Sequence, residues 1–128
     1  MYTDTITDTA FLLNNNIIEG PSFQYRNIKN GRCDENIVFE KGTPRIQKKI
    51  NGTLFSLLTG GAGNSNYWHW IFDVLPRIAI VNKKINLETI DYFLLPDLKK
   101  KFQKETLNNL NIPENKRLSS KIYRHIFA

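Results

Sequence analysis

Hydrophobic positions change their spacing partway along the chain. In the first part, short apolar runs alternate with turn-forming residues: Phe11–Leu13 and Ile17–Ile18 flank a run of asparagines, and Ile37–Phe39 stands between two glycines. This pattern predicts short strands, with a hairpin across the asparagines. We therefore expect an N-terminal β-rich segment over residues 1–52, made of short antiparallel strands.

Beyond residue 52 the apolar segments alternate between strand-like and helix-like lengths. Thr53–Leu58 and Asp91–Leu95 are mostly apolar and predict strands buried on both faces, and Ile122–Phe127 predicts a third strand. The alternation of strand and helix with short connections predicts an α/β lobe with a parallel, Rossmann-like sheet over residues 53–128.

Two helices are predicted between these strands. The first covers about Tyr67–Val81 and can be capped by any of the polar residues 64–66. The second is predicted to open at Pro96-Asp97 and to end near Asn111, before the next proline.

The composition is that of an ordinary globular domain. The 128 residues are 41% hydrophobic and 23% charged, and the single cysteine, Cys33, excludes an intrachain disulfide. The sequence contains neither an apolar run long enough to span a bilayer nor a basic-then-apolar leader, so we expect a cytoplasmic protein. The net charge of +6 comes from scattered lysines, which are typical of a solvated face, and we predict no nucleic-acid partner.

The first predicted helix concentrates the candidate chemistry. His69, Asp73 and Arg77 are spaced four residues apart, so they lie along one polar stripe, whereas nearly every other residue of the helix is apolar. A helix that is apolar on nearly all sides is expected to be buried, and its polar stripe would then face a cleft, another polar group or water. Pro76 lies inside this helix and predicts a kink.

Two interpretations of the stripe remain open from the spacing alone. Asp73 can accept a hydrogen bond from His69 and fix the imidazole tautomer, so that one of the two acts as a general base, which is typically worth about 10²–10⁴ in rate. Arg77 can then pair with Asp73 or hold an anion. The same spacing also describes an ordinary intrahelical ladder of ion pairs. Trp68 and Trp70 are expected to pack in the core or against the sheet.

A glycine-rich loop precedes the helix. Gly61, Gly63 and Asn64 lie just before the first turn, whose free N–H groups favour an anion or sugar hydroxyls. The loop only partly matches the dinucleotide fingerprint, because Asn66 occupies the third glycine position. No metal site is predicted, since the sequence has no Asp-x-Asp and neither His125 nor Cys33 has a neighbouring ligand.

Residues 63–77, Gly-Asn-Ser-Asn-Tyr-Trp-His-Trp-Ile-Phe-Asp-Val-Leu-Pro-Arg, resemble the hallmark block of glycosyltransferase family 61. The Asn-Tyr-aromatic-His-aromatic core followed by Asp-x-Leu-Pro-Arg is specific to that family. The resemblance implies the N-terminal lobe of a GT-B enzyme, in which two Rossmann-like lobes enclose a cleft. It also implies an inverting transfer from a nucleotide-sugar donor to a glycan or polysaccharide acceptor, without a cofactor or an essential metal.

Carried over by position, the resemblance makes His69 and Asp73 the candidate catalytic residues, with the choice of base open. Asn66 and Arg77 become cleft-side supports, next to the loop residues Gly61, Gly63 and Asn64. The family's donor-lobe segments have no counterpart in these residues, so we expect the C-terminal lobe to be absent and the chain alone to be inactive. A second chain that supplies the missing lobe and a peripheral association with the inner membrane are natural for such a protein.

Two further functions stay open at this stage. One is a small Rossmann-like module that binds a nucleotide or sugar phosphate at the loop before the helix, without catalysis. The other is an interaction subunit or remnant in which the polar stripe only stabilises a helix. The sugar, the acceptor and the linkage are not encoded in these residues.

Overall fold

The computed structural model of the protein describes residues 2–3, 9–22, 32–40, 46–58, 66–96, 98–123 and 125–127. The architecture is mixed α/β, with small antiparallel sheets near the N-terminus and parallel pairing in the rest of the described chain.

The N-terminal strands form two small antiparallel pairs: β1 (Tyr2–Thr3) with β2 (Thr9–Ala10), and β3 (Leu12–Leu13) with β4 (Asn16–Ile17). Asn14 and Asn15, which join β3 to β4, have φ angles of 49° and 63°. Asparagine tolerates this left-handed conformation, which a two-residue hairpin turn of this kind requires. The predicted hairpin and the short antiparallel strands are confirmed.

The predicted strand at Ile37–Phe39 is wrong, because these residues open helix α2 (Ile37–Glu40). Asn36 explains the difference: its side-chain oxygen accepts the Val38 N–H at 3.0 Å, which caps the helix. The Asn36 amide also donates to the carbonyls of Thr9 and Ser22, the latter at the end of helix α1 (Glu19–Ser22). The Asn36 side chain is buried, and its three hydrogen bonds join β2, α1 and α2.

Three parallel strands form the larger sheet, in the order β6 (Leu54–Ser56), β7 (Tyr92–Leu95), β8 (Arg117–Ser119). The central strand, β7, is buried on both faces, as predicted. Its side chains alternate between two apolar clusters. Phe93 and Leu95 pack with the helices, and Leu94 packs on the other face with Ile50 and Ile126. The edge strand β6 is only half-buried, so the prediction of burial on both faces is wrong there.

The third strand of this sheet lies earlier in the chain than predicted. Ile122 lies in a turn, where its backbone N–H donates to the Ser119 carbonyl, and its side chain is exposed. The hydrophobic pattern did not reveal strand β8, because β8 begins with a charged residue. The guanidinium of Arg117 donates hydrogen bonds to the Ile112 carbonyl and to the Asn108 side chain. Strand β9 (Ile126–Phe127) instead pairs in parallel with β5 (Lys48–Lys49), across the predicted boundary between residues 52 and 53.

A continuous helix over residues 67–82 joins β6 to β7. It consists of α3 (Tyr67–His69), a π-helical segment (Trp70–Val74) and α4 (Leu75–Asn82). In the widened turn the Leu75 N–H bonds to the Trp70 carbonyl, five residues back. Pro76 is the second residue of α4 and directly follows this widened turn.

The prediction that this helix is buried on nearly all sides is wrong. One stripe, Trp70, Val74 and Ile78, faces the core, whereas Trp68 and Ile80 remain 64% and 65% exposed. Among the described residues, the sheet and the next helix pack against the side of it that carries this stripe. None of the helices in the described part of the chain is both long enough and apolar enough to cross a bilayer.

The second helix, α5 (Lys101–Asn109), begins later than Pro96-Asp97; Asp97 itself lies outside the described residues. The Gln103 side chain accepts the Lys100 N–H at 2.9 Å, which fixes the first turn at Lys101. The predicted end before Pro113 is confirmed to within two residues of Asn111.

Candidate functional site

The long helix begins with a side-chain cap. Asn66 has an extended backbone, and its Oδ1 accepts the Trp68 N–H at 3.0 Å. This confirms the predicted helix start and selects Asn66 from the three possible caps. The carboxamide oxygen of Asn66 is thus engaged by the helix, while the residue as a whole is exposed.

His69 and Asp73 are in direct contact. The Nδ1 of His69 lies 2.6 Å from Oδ2 of Asp73, and the two side chains are 37% and 45% exposed. An ionised Asp73 can only accept a hydrogen bond, and with Nδ1 as the donor of a neutral imidazole, Nε2 is the nitrogen without a proton. The pair therefore has the arrangement of a base with its orienting acid, and it is reachable from solvent.

Arg77 does not continue this pair. Its guanidinium donates to the Leu58 carbonyl at 3.1 Å, just beyond the end of β6. Among the residues that the structure describes, no ion pair joins Asp73 to Arg77. The ladder interpretation of the three-residue stripe is therefore incomplete, and Arg77 instead ties the helix to the end of a strand.

The pair lies on the helix that follows β6. In open α/β sheets, ligands bind outside the carboxyl ends of the parallel strands, where the loops and the first turns of such helices lie. Asn66 and His69 occupy the first turn of this helix. The loop residues Gly61, Gly63 and Asn64, which were predicted to line the same site, lie outside the described residues.

Two exposed aromatic rings lie on the same helix as the pair. The sequence analysis did not predict the exposure of Trp68. The rings of Trp68 and Phe72 have centroids 4.2 Å apart and are tilted by 36°. They are 64% and 56% exposed, so the expectation that Trp68 packs in the core is wrong. The spacing of the buried stripe at 70, 74 and 78 is the signal that would have placed Trp68 on another face.

Trp70, by contrast, packs as predicted. It is fully buried, and its indole Nε1 donates to the Thr106 hydroxyl of α5 at 2.9 Å. The long helix and α5 are thereby joined by a polar contact inside an apolar interface. The buried stripe of Trp70, Val74 and Ile78, together with this hydrogen bond, orients the helix against the core.

Two surface grooves border the long helix. One, of about 520 Å³, opens between α4 and α5 and is lined mainly by apolar side chains such as Leu75, Ile78 and Leu110. Another, of about 330 Å³, contains Asn86, Glu88 and Lys116. His69 and Asp73 line neither of these two grooves.

In the described residues, no three His, Cys, Asp or Glu side chains lie close enough together to hold a metal ion. Comparison with known proteins finds no matching protein-family model, no matching curated protein and no matching solved structure.

Proposed function

We propose that the protein is the acceptor-side lobe of an inverting glycosyltransferase that transfers a sugar from a nucleotide donor to a glycan. The observation that carries the proposal is the 2.6 Å contact between His69 Nδ1 and Asp73 Oδ2 on a solvent-reachable helix face. The resemblance of residues 63–77 to the glycosyltransferase family 61 block supplies the reaction class.

The order of the elements supports a Rossmann-like lobe of GT-B type. Strand, helix, strand, helix and strand follow one another, and the three strands are parallel and adjacent in sequence order. In a two-lobed enzyme, the second lobe faces the carboxyl ends of these strands. The partial exposure of His69 and Asp73 fits such an arrangement, because the cleft would form only between the lobes.

His69 is the proposed base. Its Nε2 takes the proton of an acceptor hydroxyl while that oxygen attacks the anomeric carbon, and the bond from this carbon to the donor's phosphate oxygen breaks. Attack from the face opposite the leaving nucleotide inverts the configuration. Asp73 stabilises the imidazolium that forms and holds the ring in place. No metal or cofactor takes part in the proposed step.

The donor lobe is proposed to come from elsewhere, either from a second chain or from further sequence. Transfer requires donor and acceptor in near-attack geometry, which one lobe does not provide. We therefore expect the isolated chain to show no transfer with radiolabelled nucleotide sugars and glycan acceptors. Robust product from the chain alone would contradict the two-lobe proposal. We also propose a cytoplasmic site of action, with peripheral association at the inner membrane.

A second candidate is a module that binds a nucleotide or sugar phosphate without catalysis. The helix start favours it, because Asn66 caps an exposed first turn directly after the glycine-containing residues 60–65. In this case the phosphate would lie on the free N–H groups of that turn, and the contact between His69 and Asp73 would only stabilise the helix.

An NMR titration separates the two functions. Amide spectra of the ¹⁵N-labelled chain are recorded with UDP, UDP-glucose, NAD and a set of neutral oligosaccharides. The glycosyltransferase proposal expects shifts at residues 66–77 with oligosaccharides. The second candidate expects shifts at residues 66–69 with the nucleotides and none with the oligosaccharides. If no probe shifts any of these amides, the second candidate is excluded, and so is acceptor binding by this lobe alone.

Kinetics test the base itself. In a two-lobed protein with the same Asn66–Arg77 block, we expect replacement of the histidine that matches His69 by alanine to lower kcat by about 10²–10⁴-fold. Replacement of the aspartate that matches Asp73 by asparagine should also lower kcat, because the imidazole loses the carboxylate that orients it. Full activity in both variants would return the pair to a structural role.

A further inference from the structure

Trp68 and Phe72 form a continuous exposed ring surface, called here the ring pair. Their centroids lie 4.2 Å apart, and each residue leaves more than half of its surface to solvent. Leaving two large aromatic side chains in water gives up apolar burial that the core would have used. Adjacent exposed aromatic rings are therefore typical of surfaces that bind a ligand.

The ring pair runs alongside the polar pair on the same helix. Trp68 precedes His69 by one position and Phe72 precedes Asp73 by one position, so the two pairs form stripes about 100° apart around the helix axis. One stripe offers flat apolar surface, and the other offers a carboxylate and an imidazole that accept or donate hydrogen bonds. A pyranose ring has the complementary form, with an apolar C–H face and a rim of hydroxyl groups.

The size of the ring pair decides between a small ligand and a protein partner. At these exposures the two side chains offer about 300 Å² of aromatic surface. A stable protein interface needs about 800 Å² from each partner. Even together with Ile80, which is 65% exposed on the same helix, the ring pair falls well short of a protein interface, and its own area fits one or two sugar rings.

We propose that Trp68 and Phe72 form a stacking platform for a sugar ring of the acceptor glycan, next to the pair formed by His69 and Asp73. The reactive role of the platform rests on the proposed function, whereas its binding of sugar does not. Trp68 acts as a positioning residue: stacking holds the sugar ring so that one of its hydroxyls meets Nε2 of His69. Preference among sugars would follow from which hydroxyls reach Asp73.

The two tryptophans give a direct test. The chain contains Trp68 and Trp70 alone, so the ¹H–¹⁵N spectrum has two indole signals, one from an exposed ring and one from a buried ring. The probes are cellohexaose, maltohexaose, xylohexaose, chitohexaose and a hexamer of galacturonic acid. We expect a saturable shift of the Trp68 indole with at least one of them, while the Trp70 indole stays in place. The spectrum of Trp68→Phe assigns the two signals.

Variants complete the test. Trp68→Ala should weaken oligosaccharide binding about 10-fold or more, and Trp68→Tyr should retain most of it, because a flat ring remains. The matched control is Phe127→Ala, since Phe127 is as exposed but lies on β9, away from the long helix. An unchanged Trp70 indole signal in each variant reports an intact fold.

Three results would overturn the platform: no shift of the Trp68 indole with any oligosaccharide, equal binding by Trp68→Ala and the unsubstituted chain, or an indole shift that depends on protein concentration without sugar. The last would identify a surface for self-association. Sugar binding that requires Trp68 but is not accompanied by transfer, even with a donor lobe present, would leave the platform in place and exclude the proposed function.

Discussion

Gly52 occupies a backbone conformation that a side chain would oppose. Its φ angle is 131°, and a Cβ added there would lie 2.5 Å from Oδ2 of Asp91. The same carboxylate accepts the Thr53 N–H at 2.7 Å, just before β6 begins. The close approach of Asp91 thus depends on glycine, and it connects the start of β6 to the start of β7.

We expect Gly52→Ala to lower the free energy of unfolding by about 1–3 kcal/mol, because the new Cβ combines backbone strain with a clash against Asp91. Gly20→Ala is the matched control: a Cβ at Gly20 would meet no atom within 4 Å. Urea denaturation of both variants measures the difference. Equal midpoints for the two variants would show that Asp91 moves aside without cost.

The contact between His69 and Asp73 should matter little for stability. Both side chains are more than a third exposed, and exposed pairs of this spacing contribute at most about 1 kcal/mol. We therefore expect Asp73→Asn to change the free energy of unfolding by less than about 1 kcal/mol in urea denaturation. A loss of several kcal/mol would mean that the pair supports the fold, and a loss of activity in the variant would then say nothing about catalysis.

Among the elements, the long helix shows what local sequence can and cannot predict. Its start, its extent and the contact between His69 and Asp73 depend on residues within one or two turns, so spacing was enough to predict them. Its exposed face and the bond from Arg77 to Leu58 depend on distant parts of the chain, which spacing does not contain. Exposed aromatics such as Trp68 also mislead, because hydrophobicity alone assigns them to the core.

The long helix is joined to α5 by the hydrogen bond between Trp70 and Thr106. Thr106→Val keeps the shape of the side chain but removes the acceptor of the indole N–H, and that N–H lies on a fully buried residue. We expect a loss of about 1–3 kcal/mol in the free energy of unfolding. Thr106→Ser, which keeps the hydroxyl, should lose less. If the serine and valine variants were equally stable, the hydrogen bond would have no net effect.

For the whole molecule, strands of two or three residues were the hardest features to predict. The hairpin at residues 12–17 was accessible because its turn residues are adjacent in sequence. The pairing of Lys48–Lys49 with Ile126–Phe127 was not, because two lysines show no strand periodicity and their partners lie at the far end of the chain. The same holds for β8, whose first residue is charged.

A substitution at Ile126 can measure how much this long-range pairing contributes to the stability of the molecule. It is buried against Ile50, Leu58 and Leu94, on the face of the larger sheet opposite the helices. Backbone bonds from Lys48 and Ile50 to the carbonyls of His125 and Phe127 hold the two short strands together around it. Removing its side chain leaves a cavity that the two-residue strands cannot easily fill.

We therefore expect Ile126→Ala to lower the free energy of unfolding by about 2–5 kcal/mol. Phe127→Ala, next to it on the exposed face of the strand, should cost much less because that ring is 59% exposed. Urea denaturation compares the two variants, and hydrogen exchange at the Lys48 and Ile50 amides shows whether the strand pair opens first. If both variants lost the same stability, Ile126 would not anchor the strand pair, and residues 46–50 would have to be held by other contacts.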